Sequence, residues 1–163
     1  ISGSLVVDSI TEEIDEGTLE LLRVAPVTLG EIIDGKALAA VAIAPAQALL
    51  WLLLLRANDT PVANVPTILV LMTALTALVV ALAVAISALA PDRRAAQFLY
   101  SIGVLALFGG ATAMAGGPAN AVARLAIDSA DATTTALVVA YAAIAAVAYV
   151  GVRWIVAENG FDR

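Results

Sequence analysis

The sequence of 163 residues contains no cysteine and no histidine, and its single lysine is Lys36. Without these two residue types the chain has no thiol nucleophile, no disulfide and few ligands for a transition metal. Charged residues make up 13% of the chain, against about 25% in a typical soluble domain. The net charge is −6. We therefore expect no metal, no cofactor and no nucleic-acid partner, since phosphate binding needs a basic surface.

Apolar residues make up 62% of the chain and gather in four long runs. About 20 apolar residues are needed for a helix to cross a lipid bilayer. The runs cover residues 37–55, 68–90, 98–115 and 136–155. The sequence therefore predicts an all-α, polytopic membrane protein with about four transmembrane helices. Residues 1–36 are predicted to hold the end of a preceding helix and a cytoplasmic segment, and residues 37–163 the transmembrane bundle.

The basic residues are divided unequally between the two sides of the predicted bundle. Loops that carry more Lys and Arg face the cytoplasm. One side holds six such residues and the other holds two, Arg56 and Arg124. The six are Arg23, Lys36, Arg93, Arg94, Arg153 and Arg163. We therefore predict a multi-pass protein of the cell membrane with residues 16–36 and the C-terminus in the cytoplasm.

The segment before the first apolar run is polar and acidic. Ile10, Ile14 and Leu21 follow helical spacing, and acidic residues fill the rest of the circumference. Pro26 ends a short helix, and Thr28 with Glu31 forms a capping box that starts the next one. Amphipathic helices that lie on anionic lipid are usually basic. An acidic segment therefore favours a protein partner over the membrane surface.

The predicted outer loop 116–135 is long for a simple turn. A short interfacial or re-entrant helix over Ala119–Ile127 would place Val122 and Leu125 on one side. A surface loop without regular structure fits the same residues, and the sequence does not choose between them.

A motif in the polar segment resembles a known family. It reads Glu16-Gly17-Thr18-Leu19-Glu20-x-Leu22-x-x-x-Pro26-Val27, followed by Glu31-Ile32-Ile33-x-Gly35-Lys36. It is similar to the cytoplasmic signature of type-2 ABC exporter permeases, which have six spans and a coupling helix between spans two and three. Phe161-Asp162-Arg163 is similar to the family's C-terminal end. The resemblance implies that the chain is the C-terminal two-thirds of such a subunit, with earlier spans before Ile1.

The resemblance also implies partners and residue roles. A separate cytoplasmic ABC ATPase would bind the coupling element and hydrolyse ATP, so this chain would not itself be an enzyme. A second permease, identical or different, would complete a dimer. Gly35 and Lys36 would mark the entry to the third span. The residues implied in coupling are Glu16, Gly17, Thr18, Leu19, Glu20, Leu22 and Pro26.

Few polar side chains fall inside the predicted spans. Gln47, two residues after Pro45, is a polar point on a substrate path or a partner in a helix–helix hydrogen bond. No catalytic set of ionisable groups lies at membrane depth, and no GxxxxGK[ST] loop is present. The main hypothesis is a permease subunit of an ATP-driven exporter. The alternative is a non-transporting membrane anchor or scaffold that recruits a cytoplasmic partner.

Overall fold

The computed structural model describes residues 2–15, 29–114 and 116–159. In these ranges the chain forms six helices and no strand. The helices are α1 (Ser2–Asp15), α2 (Leu29–Ala57), α3 (Val65–Leu89), α4 (Arg93–Ala113), α5 (Pro118–Ala126) and α6 (Ala132–Asn159). The predicted all-α fold is confirmed.

Four of these helices are long and apolar enough to cross a membrane. The candidate spans are Glu31–Ala57, Val65–Leu89, Arg93–Thr112 and Ala132–Ile155. At 1.5 Å per residue the 25 residues of α3 extend about 37 Å, which exceeds the roughly 30 Å hydrocarbon core. The predicted number of spans is confirmed. The helices begin before the apolar runs, because backbone hydrogen bonding continues into the polar interface where apolar side chains are no longer needed.

Helix α3 is the centre of the bundle and contacts all five other helices. In the most apolar stretch of 18 residues of α3, 39% of the stretch is buried inside the bundle. The corresponding share is 6% in α2 and 6% in α4. Leu71 and Ala83 are fully buried. Thr73, Thr76 and Ser87 satisfy their hydroxyls on the carbonyl four residues earlier in the same helix. A helix that is apolar on every side can be surrounded on every side.

Two buried clusters lie along α3. The first includes Val7 of α1, Ile33 of α2 and Val84 of α3. We call this the coupling end, because the segment 16–28, which contains the residues implied in coupling, lies between the end of α1 and the start of α2. The second cluster includes Leu71 of α3 and Leu125 of α5, and it lies where the loops 58–64 and 127–131 meet. We call this the loop end.

Of the two alternatives for Ala119–Ile127, a short helix or a surface loop, the structure has the helix, as α5. Leu125 is buried, and Val122 packs beside it against the cluster of the loop end, so the two residues share one side of the helix. Pro118 occupies the first turn of α5, where its missing N–H costs no hydrogen bond. Gly117 precedes it, and a Cβ built on this glycine would lie 2.0 Å from the Ala111 carbonyl oxygen. The turn into α5 therefore has room only for glycine.

Candidate functional site

The residues implied in coupling lie outside the described part of the chain. These are Glu16, Gly17, Thr18, Leu19, Glu20, Leu22 and Pro26. Their roles stay predictions. The structure does describe the two helices that the segment 16–28 joins, and both reach the coupling end.

Apolar packing holds α1 on the bundle. Val6, Val7 and Ile10 are each no more than 3% exposed, and their spacing puts them on one face of α1. Thr11 is also buried and donates to the Val7 carbonyl over 2.6 Å. Gly3 lies so close to α4 that a Cβ there would be 2.1 Å from the Tyr100 hydroxyl oxygen. Helix α1 thus packs against α3 and α4 between Gly3 and Thr11.

A carboxylate on α1 forms a polar link to α4. Asp8 Oδ1 accepts a hydrogen bond from Gln97 Nε2 over 2.7 Å, and Arg93 Nη2 lies 3.5 Å from the same oxygen. Arg93 also reaches Glu12, one turn further along α1, at 4.0 Å. We call this group, Asp8 with Arg93 and Gln97, the α1–α4 clamp. The sequence predicts only the side of the membrane on which Arg93 lies, and no local pattern indicates its partners on α1.

A second carboxylate links α2 to α6. Asp34 accepts a hydrogen bond from the Tyr149 hydroxyl over 2.7 Å and forms an ion pair with Arg153. We call these three residues the α2–α6 clamp. The sequence carried one signal for it, since Asp34 and Arg153 lie at helix ends on the same predicted side of the membrane. Their separation of 119 positions gave no way to predict the pairing.

Lys36, the only lysine, joins the two helices that flank the segment 16–28. Its Nζ donates to Ser9 Oγ over 2.7 Å and to the Ser9 carbonyl over 3.4 Å. The neighbouring Gly35 would have open space around a Cβ. Lys36 therefore connects the start of α2 to α1. That Gly35 and Lys36 mark the entry to a span stays a prediction.

The remaining predicted position, Gln47, lies inside α2 with its side chain exposed. In sequence it lies 13 positions from Asp34 of the α2–α6 clamp. Both interpretations of Gln47, a point on a substrate path and a partner in a helix–helix hydrogen bond, stay predictions. Among the described residues, no group of three or more His, Cys, Asp or Glu side chains could hold a metal ion.

The loop end is built differently. Asn64 Nδ2 donates to the Leu125 carbonyl over 3.1 Å and to Asp128 Oδ1 over 2.9 Å, and the backbone N–H of Ala63 donates to the Ala126 carbonyl over 2.9 Å. Asn64 and Asp128 have positive φ angles of 51° and 58°, which Asn and Asp tolerate better than most residues. These bonds fasten the α2–α3 loop to the end of α5.

Asp131 caps the start of α6. Its Oδ1 accepts from the backbone N–H and the hydroxyl of Thr134, both over 2.8 Å, and its Oδ2 lies 2.9 Å from Arg124 Nη1. The Thr134 N–H, then the Thr134 hydroxyl and Arg124, hold the pKa of this carboxyl below its ordinary value of 3.8. The ionised carboxylate is the form that makes these bonds.

Comparison with known proteins identifies the family. A family model described as ABC-2 family transporter protein matches residues 1–150. No curated protein and no solved structure matches the chain significantly. Because the match covers most of the 163 residues, the chain belongs to the ABC-2 transporter family. It is a multi-pass permease component of an ABC transporter, a class that associates with an ATP-binding subunit.

Proposed function

We propose that this ABC-2 permease couples ATP hydrolysis by a separate cytoplasmic ATPase to the export of a substrate. The ATPase would grip the segment 16–28 and move the bundle through it. The observation that carries this proposal is the attachment of both flanking helices. Val7 on α1 and Ile33 on α2 belong to one buried cluster with the central helix α3. A force on the segment would therefore reach the core of the bundle from both of its ends.

The orientation rests on where the basic residues lie. Arg93 and Arg153 lie at the coupling end, and Arg124 lies at the loop end next to α6. This asymmetry supports a cytoplasmic coupling end. The absence of cysteine allows a direct test with single-cysteine variants. Glu20→Cys should react with a membrane-impermeant thiol reagent only after the membrane is opened, and Ile127→Cys should react on intact cells. The opposite pattern would overturn the orientation and the coupling role with it.

Docking of the ATPase can be tested on Leu19 and Leu22. If both leucines enter an apolar groove of the partner, each buries a side chain worth about 1.5–3 kcal/mol. The double change Leu19→Asp and Leu22→Asp should therefore weaken binding by at least about 100-fold. Co-purification of the ATPase with the permease, quantified against the amount of permease in the membrane, measures this.

Ile127→Asp is the matched control for docking. Ile127 is 74% exposed at the loop end, so the same introduction of charge falls on the other side of the proposed membrane. Co-purification should be unchanged in this variant. An ATPase that binds the double aspartate variant normally would refute the docking assignment. An ATPase that binds the unaltered chain but never hydrolyses ATP there would favour the anchor or scaffold.

We further infer that a second permease, identical or different, completes the transporter. Helices α2 and α4 have little of their apolar surface covered within the described chain, 6% of the window in each case. Lipid is the other partner that would cover these faces, so the association of two permeases is tested on copies that were expressed together in one membrane. Two differently tagged copies should co-purify after co-expression if the transporter is a homodimer. Recovery of one tag with a different permease would indicate a heterodimer, and recovery of a lone permease with its ATPase would refute the pairing.

A further inference from the structure

We infer that Asp34 is the residue through which movement of the coupling segment reaches α6, and that the α2–α6 clamp stays closed while the two helices move together. This inference rests on the proposed function, since it assumes that an ATPase moves the segment 16–28. It goes further by assigning a positioning role to Asp34, which fills the unspecified position of the motif between Ile33 and Gly35, and to Tyr149 and Arg153 near the end of the last span.

The first argument is the connection of the helices. Helix α2 leaves the segment 16–28 and packs mainly on α3 and α1, whereas it touches α6 at few positions. Within the part of the chain that the structure describes, Tyr149 and Arg153 of α6 both bond to Asp34 of α2. Because α2 and α6 otherwise meet mainly through the central helix α3, the clamp is a direct link by which α2 can pull on α6.

The second argument is that α1 has its own route. The α1–α4 clamp ties α1 to α4 through Asp8, and Lys36 ties α1 to α2 through Ser9. The two helices that flank the segment are therefore joined to each other, and each is joined to a different helix of the C-terminal half. One input at the segment would be divided between α4 and α6.

The third argument concerns the strength of the clamp. The side chains of Asp34 and Arg153 are 26% and 53% exposed, so water screens the pair. Exposed ion pairs add little to the stability of a resting fold. Two bonds of fixed direction on one carboxylate nevertheless define the register of α2 against α6. A role in register explains this arrangement better than a role in overall stability.

The test uses the complete permease with its ATPase in lipid nanodiscs. Spin labels on Leu38→Cys of α2 and Trp154→Cys of α6 report the distance between the clamped helices, and both positions are well exposed, at 71% and 63%. A second pair, Leu38→Cys with Ile127→Cys, reports movement of α2 relative to the loop end. Distances are measured without nucleotide and after trapping with ATP and vanadate.

In the unaltered clamp, the Leu38–Ile127 distance should change on trapping and the Leu38–Trp154 distance should stay within about 1 Å, since α2 and α6 move as one. In Asp34→Asn, α2 should still move, but the Leu38–Trp154 distance should now shift by about 2 Å or more, the scale of helix displacements in switching proteins. The double change Asp34→Arg and Arg153→Asp should restore the constant distance. Asp59→Asn, an exposed aspartate at the loop end, is the matched control and should behave like the unaltered chain.

Three results would overturn the inference. The first is a Leu38–Trp154 distance that changes on trapping with the clamp intact, and the second is one that stays constant in Asp34→Asn. If Asp34→Asn does not fold, the variants Tyr149→Phe and Arg153→Gln, each of which removes one bond to Asp34, take its place in the test. A constant Leu38–Trp154 distance in both of these variants would count equally against the clamp. The third is a Leu38–Ile127 distance that never changes, which would show that ATP does not move α2 and would refute the proposed function as well.

Discussion

The two ends of the bundle hold their helices together by different means. At the loop end the backbone takes part directly, through the Ala63–Ala126 hydrogen bond, the left-handed residues Asn64 and Asp128, and a glycine turn with no room for a side chain. At the coupling end, side chains of long helices meet each other across the bundle, as Asp8 meets Gln97 and Asp34 meets Tyr149.

This contrast indicates which end can move. A backbone hydrogen bond or a left-handed turn allows one geometry, and a change in it costs strain or an unpaired polar group. A part-exposed side-chain pair links two helices without fixing the backbone that leads into them, so the linked helices remain able to shift together. The loop end thus suits a fixed pivot, and the coupling end suits the place where a partner acts.

The largest expected difference between the ends comes from adding one methyl group at each. Gly117→Ala places a Cβ 2.0 Å from a backbone oxygen that α4 holds in place, whereas Gly3→Ala meets the hydroxyl end of Tyr100, a side chain that can turn away. We expect Gly117→Ala to lower the free energy of unfolding by about 3 kcal/mol and Gly3→Ala by about 1 kcal/mol. Thermal unfolding in detergent, followed by tryptophan fluorescence, measures both.

Gly109→Ala is the control for these two changes, because a Cβ at this position would meet nothing within 4 Å. In the interior of α4 it should be neutral or slightly stabilising, since alanine loses less backbone entropy than glycine. Equal losses at Gly117 and Gly3 would contradict the proposed difference in rigidity between the two ends.

An intermediate effect is expected at Asn64. Asn64→Ala removes both side-chain hydrogen bonds to the α5 region. It also places alanine, which adopts a left-handed backbone less readily than asparagine, at a φ of 51°. The loss should be about 2 kcal/mol. Asn64→Gly keeps the left-handed backbone accessible and loses only the hydrogen bonds, so it should cost about half as much. If both variants unfold at the same temperature, the backbone conformation is not what matters at this position.

The smallest effect is a pH dependence at Asp131. The pKa of this carboxyl is lower in the folded protein than its ordinary value of 3.8. Its contribution to stability is therefore complete above about pH 3.8 and is lost as the pH falls through the lower, folded pKa. The difference in melting temperature between the unaltered chain and Asp131→Asn, compared from pH 6 down to pH 3, should be constant near pH 6 and should narrow as the pH falls below about 3.8. Parallel curves over that range would contradict a native carboxylate cap.

Much of the membrane architecture could be read from the residues in order. Four apolar runs predicted four spans, and the uncharged run 68–90 is the central helix α3. The apolar spacing of Val122 and Leu125 allowed a short helix that the structure contains. The glycines of α4 differ in their surroundings: a Cβ built on Gly103 would lie 3.1 Å from Leu82 Cδ2, whereas a Cβ built on Gly109 or Gly110 would meet nothing within 4 Å. The glycine content of a helix indicates that a neighbouring helix can pack close to it. Which glycine faces that neighbour depends on the rotation of the helix about its axis.

The sequence alone determined what each segment is. Hydropathy and spacing are local properties, so they decide which residues enter lipid, where helices can start and which motif lies between α1 and α2. The tertiary structure alone decided which distant residues meet. Asp34 and Arg153 are paired because α2 and α6 are brought side by side around α3, and Asp8 meets Gln97 because α1 lies against α4. A contact between positions about 90 to 120 residues apart depends on the packing of whole helices, and no local pattern contains that information.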